Sequence, residues 1–522
     1  MKAKRAYAIG QQYFPDMIKL GAVYVDKTAL VYKLANSVGK YYFLSRPRRF
    51  GKSLLISTLE AYFQGRKELF KGLAVDGLET EWTAYPVIHI DLSMGKYYAL
   101  ERVHGILNNM LMWLEKEWHV DVVNPHGYGE RLENIIKAAY QQTGRQVVVL
   151  VDEYDAPMLD SIDKPELQDQ IRERVRDLFS PLKGLNSYLR FVFLTGISKF
   201  SQLSVFSELN NLNTITFHPD YESICGITED ELLTYMQPDV EQLAERMGLS
   251  FDDTVARLKL MYDGYHFSSK MTDIYNPWSL IYAFEAGEIR NYWFSTGTPT
   301  SLVNILRKRD LDLPELEELT APLERFDAPT ERITDPIPVL FQSGYLTLKE
   351  YDSDSERFKL GFPNQEVHRG FAGSLYKYYC EEYVGSRDLI YNAFIDLRRG
   401  NMTTEQFLGT LQKFFAGMPY SIANKNERHY QSLLYALLVS VGADVRAEVQ
   451  TATGRMDMVL RLSDAIYIFE FKHNKTAEVA LQQIKDNSYA VAFAADSRPV
   501  YEVGINFSSA TRSLDQYLLE KL

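Results

Sequence analysis

The sequence predicts a multidomain protein of the α/β class, and three observations lead to this prediction. The first 220 residues alternate short apolar runs with longer amphipathic segments, which is typical of strands joined by helices. The last hundred residues show a separate order of elements, αβββαβ. The length of 522 residues corresponds to three or four domains at roughly 100 to 200 residues each.

Residues 1–220 are predicted to form the first domain, a mostly parallel sheet covered by helices. In such sheets, ligands bind at the carboxyl ends of the strands. The predicted strands are Tyr41–Leu44, Pro86–Leu92, Val147–Val151 and Leu189–Thr195, and the predicted helices are Ser53–Phe63, Leu100–Trp118, Arg131–Gln141 and Glu166–Leu182.

The middle of the chain changes character. Residues 221–340 are acidic and helix-rich, with no clear strand run, which indicates a helical lid or connector. Residues 341–418 begin with two alternating segments, Tyr345–Tyr351 and Arg357–Phe362, around the polar turn DSDSE. This pattern predicts a hairpin followed by helices, for which a winged-helix-like arrangement is one alternative.

The stretch from Gly417 to Asn426 is the predicted boundary of the last domain, residues 419–522. Its predicted helices are Glu427–Val441 and Ala477–Tyr489, and its predicted strands are Ala443–Gln450, Met456–Leu462, Ala465–Phe471 and Pro499–Phe507.

Composition excludes several classes of protein. The two cysteines lie far apart in the sequence, so neither a disulfide framework nor a zinc site is expected. There is no run of ~18 apolar residues and no signal-peptide pattern, so a cytoplasmic protein without membrane contact is expected.

A candidate phosphate site lies in the segment YYFLSRPRRFGKSLLISTL, where an apolar strand, a tight loop and a helix surround Gly51, Lys52 and Ser53. In a P-loop, backbone amides cradle phosphates, the lysine contacts the β and γ phosphates, and the serine hydroxyl binds Mg²⁺. The usual pattern is GxxxxGK[ST], and Arg46 occupies the first glycine position here. The simpler alternative is an ordinary helix start.

Two further strands support this prediction. QVVVLVDEYD is an apolar run that leads into Asp152 and Glu153, the pattern of a Walker B strand. There the aspartate holds Mg²⁺ through water and the glutamate polarises the attacking water. LRFVFLTG ends in Thr195, where a polar group can sense the γ-phosphate. Alternatively, DEYD is a solvated turn.

A second candidate site lies in TGRMDMVLRLSDAIYIFEFKHN. Asp457 interrupts an apolar strand, and Glu470 and Lys472 follow two residues apart on the next predicted strand, so they share one face. Two carboxylates suit Mg²⁺ or Mn²⁺, and a nearby ammonium can orient or deprotonate water. An ExK triplet alone carries little weight, because alternating charges on exposed strands produce it often.

The whole chain resembles a bacterial family of AAA-ATPase-like proteins that usually carry a carboxyl-terminal PD-(D/E)XK nuclease domain. The stretches YVDKT, FLSRPRRFGKSLL, LVDEYDAPM, LTGISKFS, FSELNNL, ICGITEDEL, YDGYHFS, YNPWSLI, NYWFSTGTP and QSGYLTL carry the resemblance. It implies an AAA-like P-loop NTPase domain, the lid or connector, and a restriction-endonuclease-like domain. It also implies that RPRRFGKS is the normal loop of this group.

The resemblance leaves the partners of Arg46, Arg48 and Arg49 open. Phosphate, the nucleotide of a neighbouring protomer in a homo-oligomer, and solvent are the three alternatives. It further implies roles for Glu427 as another acid of the metal site and Gln483 as a polar residue beside it. Glu448 is a weaker candidate.

These predictions combine into one hypothesis: an ATP-regulated protein whose last domain is a Mg²⁺- or Mn²⁺-dependent nuclease that cleaves DNA, with RNA as an alternative substrate. The nucleotide state would move the acidic middle segment and thereby expose or assemble the nuclease site. The other hypothesis is a nucleotide-dependent switch or scaffold, in defence or mobile-element biology, whose last domain binds without cutting. Residues 221–340 hold 10 basic and 22 acidic side chains, which is 10 − 22 = −12, the whole net charge of the chain. The acidity therefore does not exclude a nucleic-acid substrate.

Overall fold

A computed structural model describes residues 7, 9–122, 124–162, 164–199, 212–294, 314–317, 319–328, 335–379, 386–417, 427–451 and 453–522, with the side chains of 376–379 and 386–387 excepted. The chain divides into two compact units. The first comprises Met1–Thr296 and Thr320–Asn364, and the second comprises Gly297–Leu319 and Gln365–Leu522.

The first unit is built on a parallel sheet with the strand order β2-β3-β4-β1-β5. Its strands are β1 Tyr41–Ser45, β2 Val87–Asp91, β3 Val147–Asp152, β4 Leu189–Gly196 and β5 Asn213–Thr214. The run VVVLV of β3 is buried on both faces, as expected for a central parallel strand. The predicted parallel sheet is therefore confirmed, with β4 inserted between β1 and β3.

Helices connect these strands, and one face of the sheet packs with them into a large apolar core. The helices are α1 Phe14–Lys19, α2 Thr28–Ala35, α3 Lys52–Phe63, α4 Leu100–Glu117, α5 Tyr128–Thr143, α6 Ala156–Asp160 and α7 Pro165–Phe179. Short 3₁₀ turns lie at Lys67–Leu69, Ala74–Gly77, Ser180–Lys183 and Pro219–Tyr221. The predicted helix Glu166–Leu182 thus ends as a 3₁₀ turn after α7.

Three helices follow: α8 Glu229–Met247, α9 Phe251–Tyr262 and α10 Pro277–Ala286. Thr228 begins α8 with a capping box in which its side chain and that of Glu231 bond each other's backbone amides. β6 Ile227–Thr228, directly before α8, pairs with β7 Ile274–Tyr275, which lies shortly before α10, in a two-stranded antiparallel ladder. The sequence gives no sign of these strands, because two residues are too few to show alternation.

Residues 320–364 complete the first unit. They contain β8 Thr320–Pro322, α11 Leu323–Phe326, α12 Ile337–Gln342, β9 Thr347–Asp352 and β10 Arg357–Gly361. The predicted hairpin around DSDSE is β9 with β10, and β8 adds a third antiparallel strand. The predicted region 341–418 is therefore divided between the two units, and the domain boundaries drawn from the sequence stay predictions.

The second unit holds a five-stranded sheet in the order β11-β12-β13-β14-β15, in which only β13 and β14 run parallel. Its strands are β11 Asp444–Gln450, β12 Arg455–Arg461, β13 Ile466–His473, β14 Val500–Ser508 and β15 Ser513–Lys521. Its helices are α13 Gln365–Tyr379, α14 Ser386–Arg398, α15 Thr404–Ala416, α16 Glu427–Ser440 and α17 Ala477–Asp486, with 3₁₀ turns at Pro314–Leu316 and Tyr489–Phe493.

The predicted αβββαβ order is confirmed from α16 to β14, and β15 is an additional strand that the sequence does not reveal. β15 is an edge strand with mostly exposed or half-buried side chains, so its apolar alternation is weak. Most of the predicted boundary at Gly417–Asn426 lies outside the described residues. Within the part of the chain that the structure describes, no helix combines the length and apolar character needed to cross a bilayer.

Candidate functional site

The loop between β1 and α3 has the backbone geometry of an anion site. Gly51 caps α3 with φ of 93°, in the left-handed region that glycine adopts without strain. The amides of the first turn of α3 therefore face the loop, where the helix dipole favours negative charge. Ser53 is the second residue of this helix and is half-buried. The predicted residues Gly51, Lys52 and Ser53 thus lie together.

Lys52 is buried and folds back across the loop. Its Nζ donates to the carbonyl oxygens of Arg46 at 3.0 Å and Pro47 at 3.2 Å. The ammonium is therefore held by two carbonyl oxygens of its own loop.

Arg46 is buried and bonded to the protein backbone. Its Nη1 donates to the carbonyls of Ser45 at 2.9 Å and Thr216 at 2.8 Å, and its Nη2 donates to those of Tyr221 and Glu222, both at 3.2 Å. Its guanidinium also lies 4.0 Å from the centre of the Phe267 ring. Burial lowers the pKa of Arg46 to about 10. These contacts tie the start of the loop to the segment after β5, and the predicted nucleotide contact of Arg46 stays a prediction.

Arg48 and Arg49 are exposed and differ from Arg46 in their surroundings. The guanidinium of Arg49 stacks on the ring of Trp278, a residue of α10, at 3.6 Å. Arg49 has φ of 70°, an uncommon value for a residue with a side chain. The backbone carbonyl of Arg48 accepts a hydrogen bond from Trp293 Nε1 at 3.3 Å. Phosphate, the nucleotide of a neighbouring protomer and solvent stay the three alternatives for what these two guanidinium groups meet.

The carboxyl ends of β3 and β4 bring Asp152 and Thr195 together, as predicted. The Thr195 hydroxyl donates to Asp152 Oδ1 at 2.6 Å, and both side chains are buried. Glu153 follows at φ of 47°. Burial raises the pKa of Glu153, Lys52 opposes the rise, and the charge of Asp152 adds to it. The Glu153 carboxylate therefore lies near Lys52 and the buried Asp152, beside the phosphate loop.

Asp155 is a residue of this site that the sequence does not single out. Its Oδ2 accepts the amide hydrogens of Ile197 at 2.9 Å and Ser198 at 2.6 Å. Burial raises the pKa of Asp155 to about 6. Asp155 therefore holds the turn after β3 against the turn after β4. In the sequence it reads as one more acid of a solvated turn, because its partners are more than 40 residues away.

An apolar cavity of about 100 Å³ adjoins the phosphate loop. It is bordered by the loop and α3, by the segment before α2, by the segment before β6 and by the start of α10. Representative lining residues are Val25, Phe50, Gly51, Ile224 and Pro277. Binding sites for small molecules are typically lined in this way, with few polar groups that fix orientation. The apolar cavity therefore lies directly beside the phosphate loop.

The second site lies on β12 and β13 of the second unit. Asp457 Oδ2 accepts the amide hydrogen of Phe471 at 2.7 Å, which joins the two strands at their ends. Lys472 Nζ donates to Glu470 Oε1 at 3.0 Å and to the Phe471 carbonyl at 2.7 Å. The three predicted residues Asp457, Glu470 and Lys472 are thus brought together.

The electrostatics of this site favour a bound cation. Glu470 is 1% exposed, and within the described chain its Oε2 has no hydrogen-bond partner. Burial raises the pKa of Glu470, and the charge of Asp457 raises it further. Burial also raises the pKa of Asp457, while the Phe471 amide and Lys472 oppose the rise. Lys472 supplies one positive charge, yet the pKa values of both carboxyl groups stay raised, so a further cation would help to keep both ionised.

The other predicted residues lie on three further elements of the second unit. Glu427 begins α16, and its charge raises the pKa of both Asp457 and Glu470. Gln483 is half-buried on α17, a helix that packs on β13 and β14. Glu448 lies on β11 and forms an ion pair with Arg455, and its charge adds to the raised pKa of Asp457.

Gln431 of α16 is a residue that the sequence analysis missed. Its Nε2 donates to Glu448 Oε1 at 2.8 Å and to the Asp457 carbonyl at 2.9 Å. It therefore fixes both strands behind the carboxylates. The signal that could have identified Gln431 is a polar side chain at a buried position of α16, one turn after Glu427.

The residues fit a hard divalent cation that keeps most of its water. Among the residues that the structure describes, no group of three or more His, Cys, Asp or Glu side chains is arranged to hold a metal ion. Two carboxylates with water in the remaining positions suit Mg²⁺, which is often bound by only one or two carboxylates. Such a cation would give a partner to the buried Oε2 of Glu470, which has no hydrogen-bond partner within the described residues.

Two protein-family models match this chain, one in its first half and one near its carboxyl end. The AAA-ATPase-like family, described as "Predicted AAA-ATPase", matches residues 8–206. The PD-(D/E)XK nuclease superfamily matches residues 425–517. Among solved structures, the Aeropyrum pernix ORC2 protein in ADPNP-ADP complexes has a TM-score of 0.26 at 13% identity, over 65% of this chain and 88% of that chain. The Aeropyrum pernix ORC1 protein in complex with DNA has a TM-score of 0.26 at 12% identity, over 70% and 96%.

A curated relative extends over nearly the whole chain. The "Uncharacterized protein in vnfD 5'region" of Azotobacter chroococcum mcd 1 is 34% identical over 515 residues, which cover 96% of this chain and 95% of the relative. The chain therefore belongs to the family of this relative, the AAA-ATPase-like proteins that carry a carboxyl-terminal domain of the PD-(D/E)XK nuclease superfamily.

Proposed function

We propose that the protein binds and hydrolyses ATP in its first unit, cleaves nucleic acid in its second, and is regulated in this cleavage by the bound nucleotide. The first half of the proposal is supported by the anion-binding loop at Gly51 and the apolar cavity beside it. The loop would receive the phosphates and the cavity the base. Ser53 and Asp152 would hold Mg²⁺, which neutralises charge on the phosphates.

In this proposal, Lys52 exchanges its two loop carbonyls for phosphate oxygens. Glu153 accepts a hydrogen bond from the attacking water, and Thr195 keeps Asp152 in place. Arg48 and Arg49 are the exposed guanidinium groups that would meet phosphate or the nucleotide of a neighbouring protomer.

The second half of the proposal is carried by one observation: Glu470 is buried with an unpaired oxygen, beside Asp457 and hydrogen-bonded to Lys472. Asp457 and Glu470, with Glu427 in support, would hold Mg²⁺ or Mn²⁺. The metal would polarise the scissile phosphate and lower the pKa of bound water. Lys472 would orient that water, and Gln483 would line the site.

The preferred substrate is DNA, with RNA as the other outcome of the test. Residues 411–522 carry 12 basic and 12 acidic side chains, so 12 − 12 = 0. Since phosphate neutralisation dominates nucleic-acid affinity, we expect modest binding that weakens with salt. We also propose a cytoplasmic location.

A paired assay tests both halves. The full-length protein is incubated with plasmid, single-stranded DNA and RNA, each with Mg²⁺ or Mn²⁺, with and without ATP, while phosphate release is followed. Lys52→Ala should abolish ATP turnover, and Glu470→Gln should abolish cleavage. The control is Glu478→Gln, an exposed acid at the start of α17.

The outcomes separate the hypotheses. Cleavage that survives Glu470→Gln would refute the assigned nuclease site. ATP turnover without cleavage under any metal would favour the switch or scaffold whose last domain binds without cutting. Cleavage that is indifferent both to ATP and to Lys52→Ala would remove regulation by the nucleotide from the proposal.

A further inference from the structure

Asp91 ends β2, the strand next to β3 at the edge of the parallel sheet. The ladder between these strands pairs Asp91 with Asp152 and His89 with Leu150. Neighbouring strands lie about 4.8 Å apart, and residues paired in register on parallel strands point to the same face. Asp91 therefore stands one strand spacing from Asp152, on the face of the sheet that carries the phosphate site.

The burial pattern of β2 separates its two faces. Ile88 and Ile90 are fully buried in the apolar core, whereas His89 and Asp91 on the opposite face are half-buried. His89 Nδ1 lies 3.2 Å from Glu60 Oε2 of α3, the helix that begins at the phosphate loop. The polar face of β2 is thus turned toward the helix that would hold the phosphates.

An edge strand often has a solvated face, and this would be the simple explanation of His89 and Asp91. Two observations argue against it. His89 Nε2 is buried and, within the described residues, has no hydrogen-bond partner. Asp91 also pairs in register with Asp152, which is buried and directly precedes Glu153. Asp91 therefore lies beside the buried end of β3, next to the phosphate loop.

The Asp91 carboxylate has a fixed orientation. Its Oδ1 accepts the amide hydrogen of Ser93 at 2.8 Å in a turn directly after the strand. A carboxylate has about four lone-pair positions, so most of its accepting capacity remains for other donors. A fixed acceptor near a γ-phosphate site can hold a water molecule.

We infer that Asp91 is a further acid of the hydrolytic site, which orients the attacking water together with Glu153. This inference rests on the proposed ATP hydrolysis. The water oxygen forms a bond to the γ-phosphorus, and the bond from this phosphorus to the β–γ bridging oxygen breaks. ADP leaves with the electron pair, and the water proton passes through the carboxylates to solvent or to inorganic phosphate.

Asp91→Asn tests the inference, because asparagine keeps the acceptor for the Ser93 amide but loses the charge. The matched control is Asp352→Asn. Asp352 Oδ1 accepts the amide hydrogen of the residue two positions on, as Asp91 does, but in the exposed turn after β9. ATP turnover is measured by phosphate release, and ATP affinity by titration with a fluorescent ATP analogue. Thermal melting verifies folding.

We expect Asp91→Asn to lower turnover roughly tenfold or more, as removal of a positioned acid or base typically does, with ATP affinity within about threefold of wild type. Asp352→Asn should change neither quantity. Wild-type turnover in Asp91→Asn, or an equal loss of affinity and turnover, would overturn the inference while leaving ATP hydrolysis intact. Wild-type protein that binds ATP without hydrolysing it would also overturn it, and wild-type protein that does not bind ATP would refute the proposed function itself.

Discussion

Arg46→Gly restores the glycine of the usual P-loop pattern, and we expect it to destabilise the protein. The guanidinium of Arg46 makes four hydrogen bonds to backbone carbonyls and stacks on Phe267. A hydrogen bond from a charged donor contributes about 1.5 kcal/mol or more, so the four together contribute about 6 kcal/mol. The protein with the usual P-loop glycine at position 46 would therefore be less stable than the protein with arginine there.

Part of this stabilisation is offset by the cost of burying the charge. Burial lowers the pKa of Arg46 to about 10, and the shift corresponds to about 3 kcal/mol. The expected loss of unfolding free energy in Arg46→Gly is therefore about 3 kcal/mol, before the added flexibility of glycine. Nucleotide affinity should fall only as far as the folded fraction falls.

Urea titration of the full chain, followed by tryptophan fluorescence, measures the loss. Arg48→Gly is the matched control, because Arg48 is an exposed residue of the same loop, and its unfolding free energy should change by about 1 kcal/mol or less. Equal stability of Arg46→Gly and wild type, combined with a large loss of ATP affinity, would refute the structural role and favour a phosphate contact for Arg46.

Three other substitutions test contacts elsewhere. Gly504→Ala should lower the melting temperature in scanning calorimetry, because a Cβ atom there would lie 2.4 Å from the Ala477 carbonyl oxygen; an unchanged transition would contradict this. Asp263→Asn should stabilise the protein by up to about 4 kcal/mol at pH 8, since burial raises the pKa of Asp263 to about 7. At pH 5 the Asp263 carboxyl group is protonated in the folded protein, so its burial costs less stability than at pH 8, where it is ionised. Urea titrations should therefore show a smaller gain in unfolding free energy for Asp263→Asn at pH 5. A gain that is independent of pH would refute this. Lys472→Gln removes the ammonium that holds down the pKa of Glu470, so Mn²⁺ binding measured by calorimetry should require higher pH; an unchanged pH dependence would count against it.

The elements that the sequence predicted correctly share one property: their pattern is local. The apolar run of β3 and the strand, loop and helix around Gly51 can be read within about 20 residues, and both are where they were expected. The short β6 and β7 and the edge strand β15 were missed, since their pairing partners rather than their own residues define them.

The same limit applies to the roles of individual side chains. Asp457, Glu470 and Lys472 form a pattern along two adjacent strands, so their convergence could be predicted. The contacts of Arg46 could not, because three of its four acceptors lie 170 or more residues further along the chain. A sequence motif gives the residue type at such a position, and only the folded chain gives its neighbours.

The two lysines of the candidate sites are both hydrogen-bonded to protein oxygens. Lys52 donates to two loop carbonyls, and Lys472 donates to Glu470 and the Phe471 carbonyl. In the proposed function, phosphate binding would exchange one set of oxygen acceptors for another, so each lysine would contribute less affinity than a solvated ammonium placed in a preformed site. The exchange would release the former acceptors at the same time. In the second site it would free Glu470 to hold a metal ion, so phosphate binding and metal binding would favour each other.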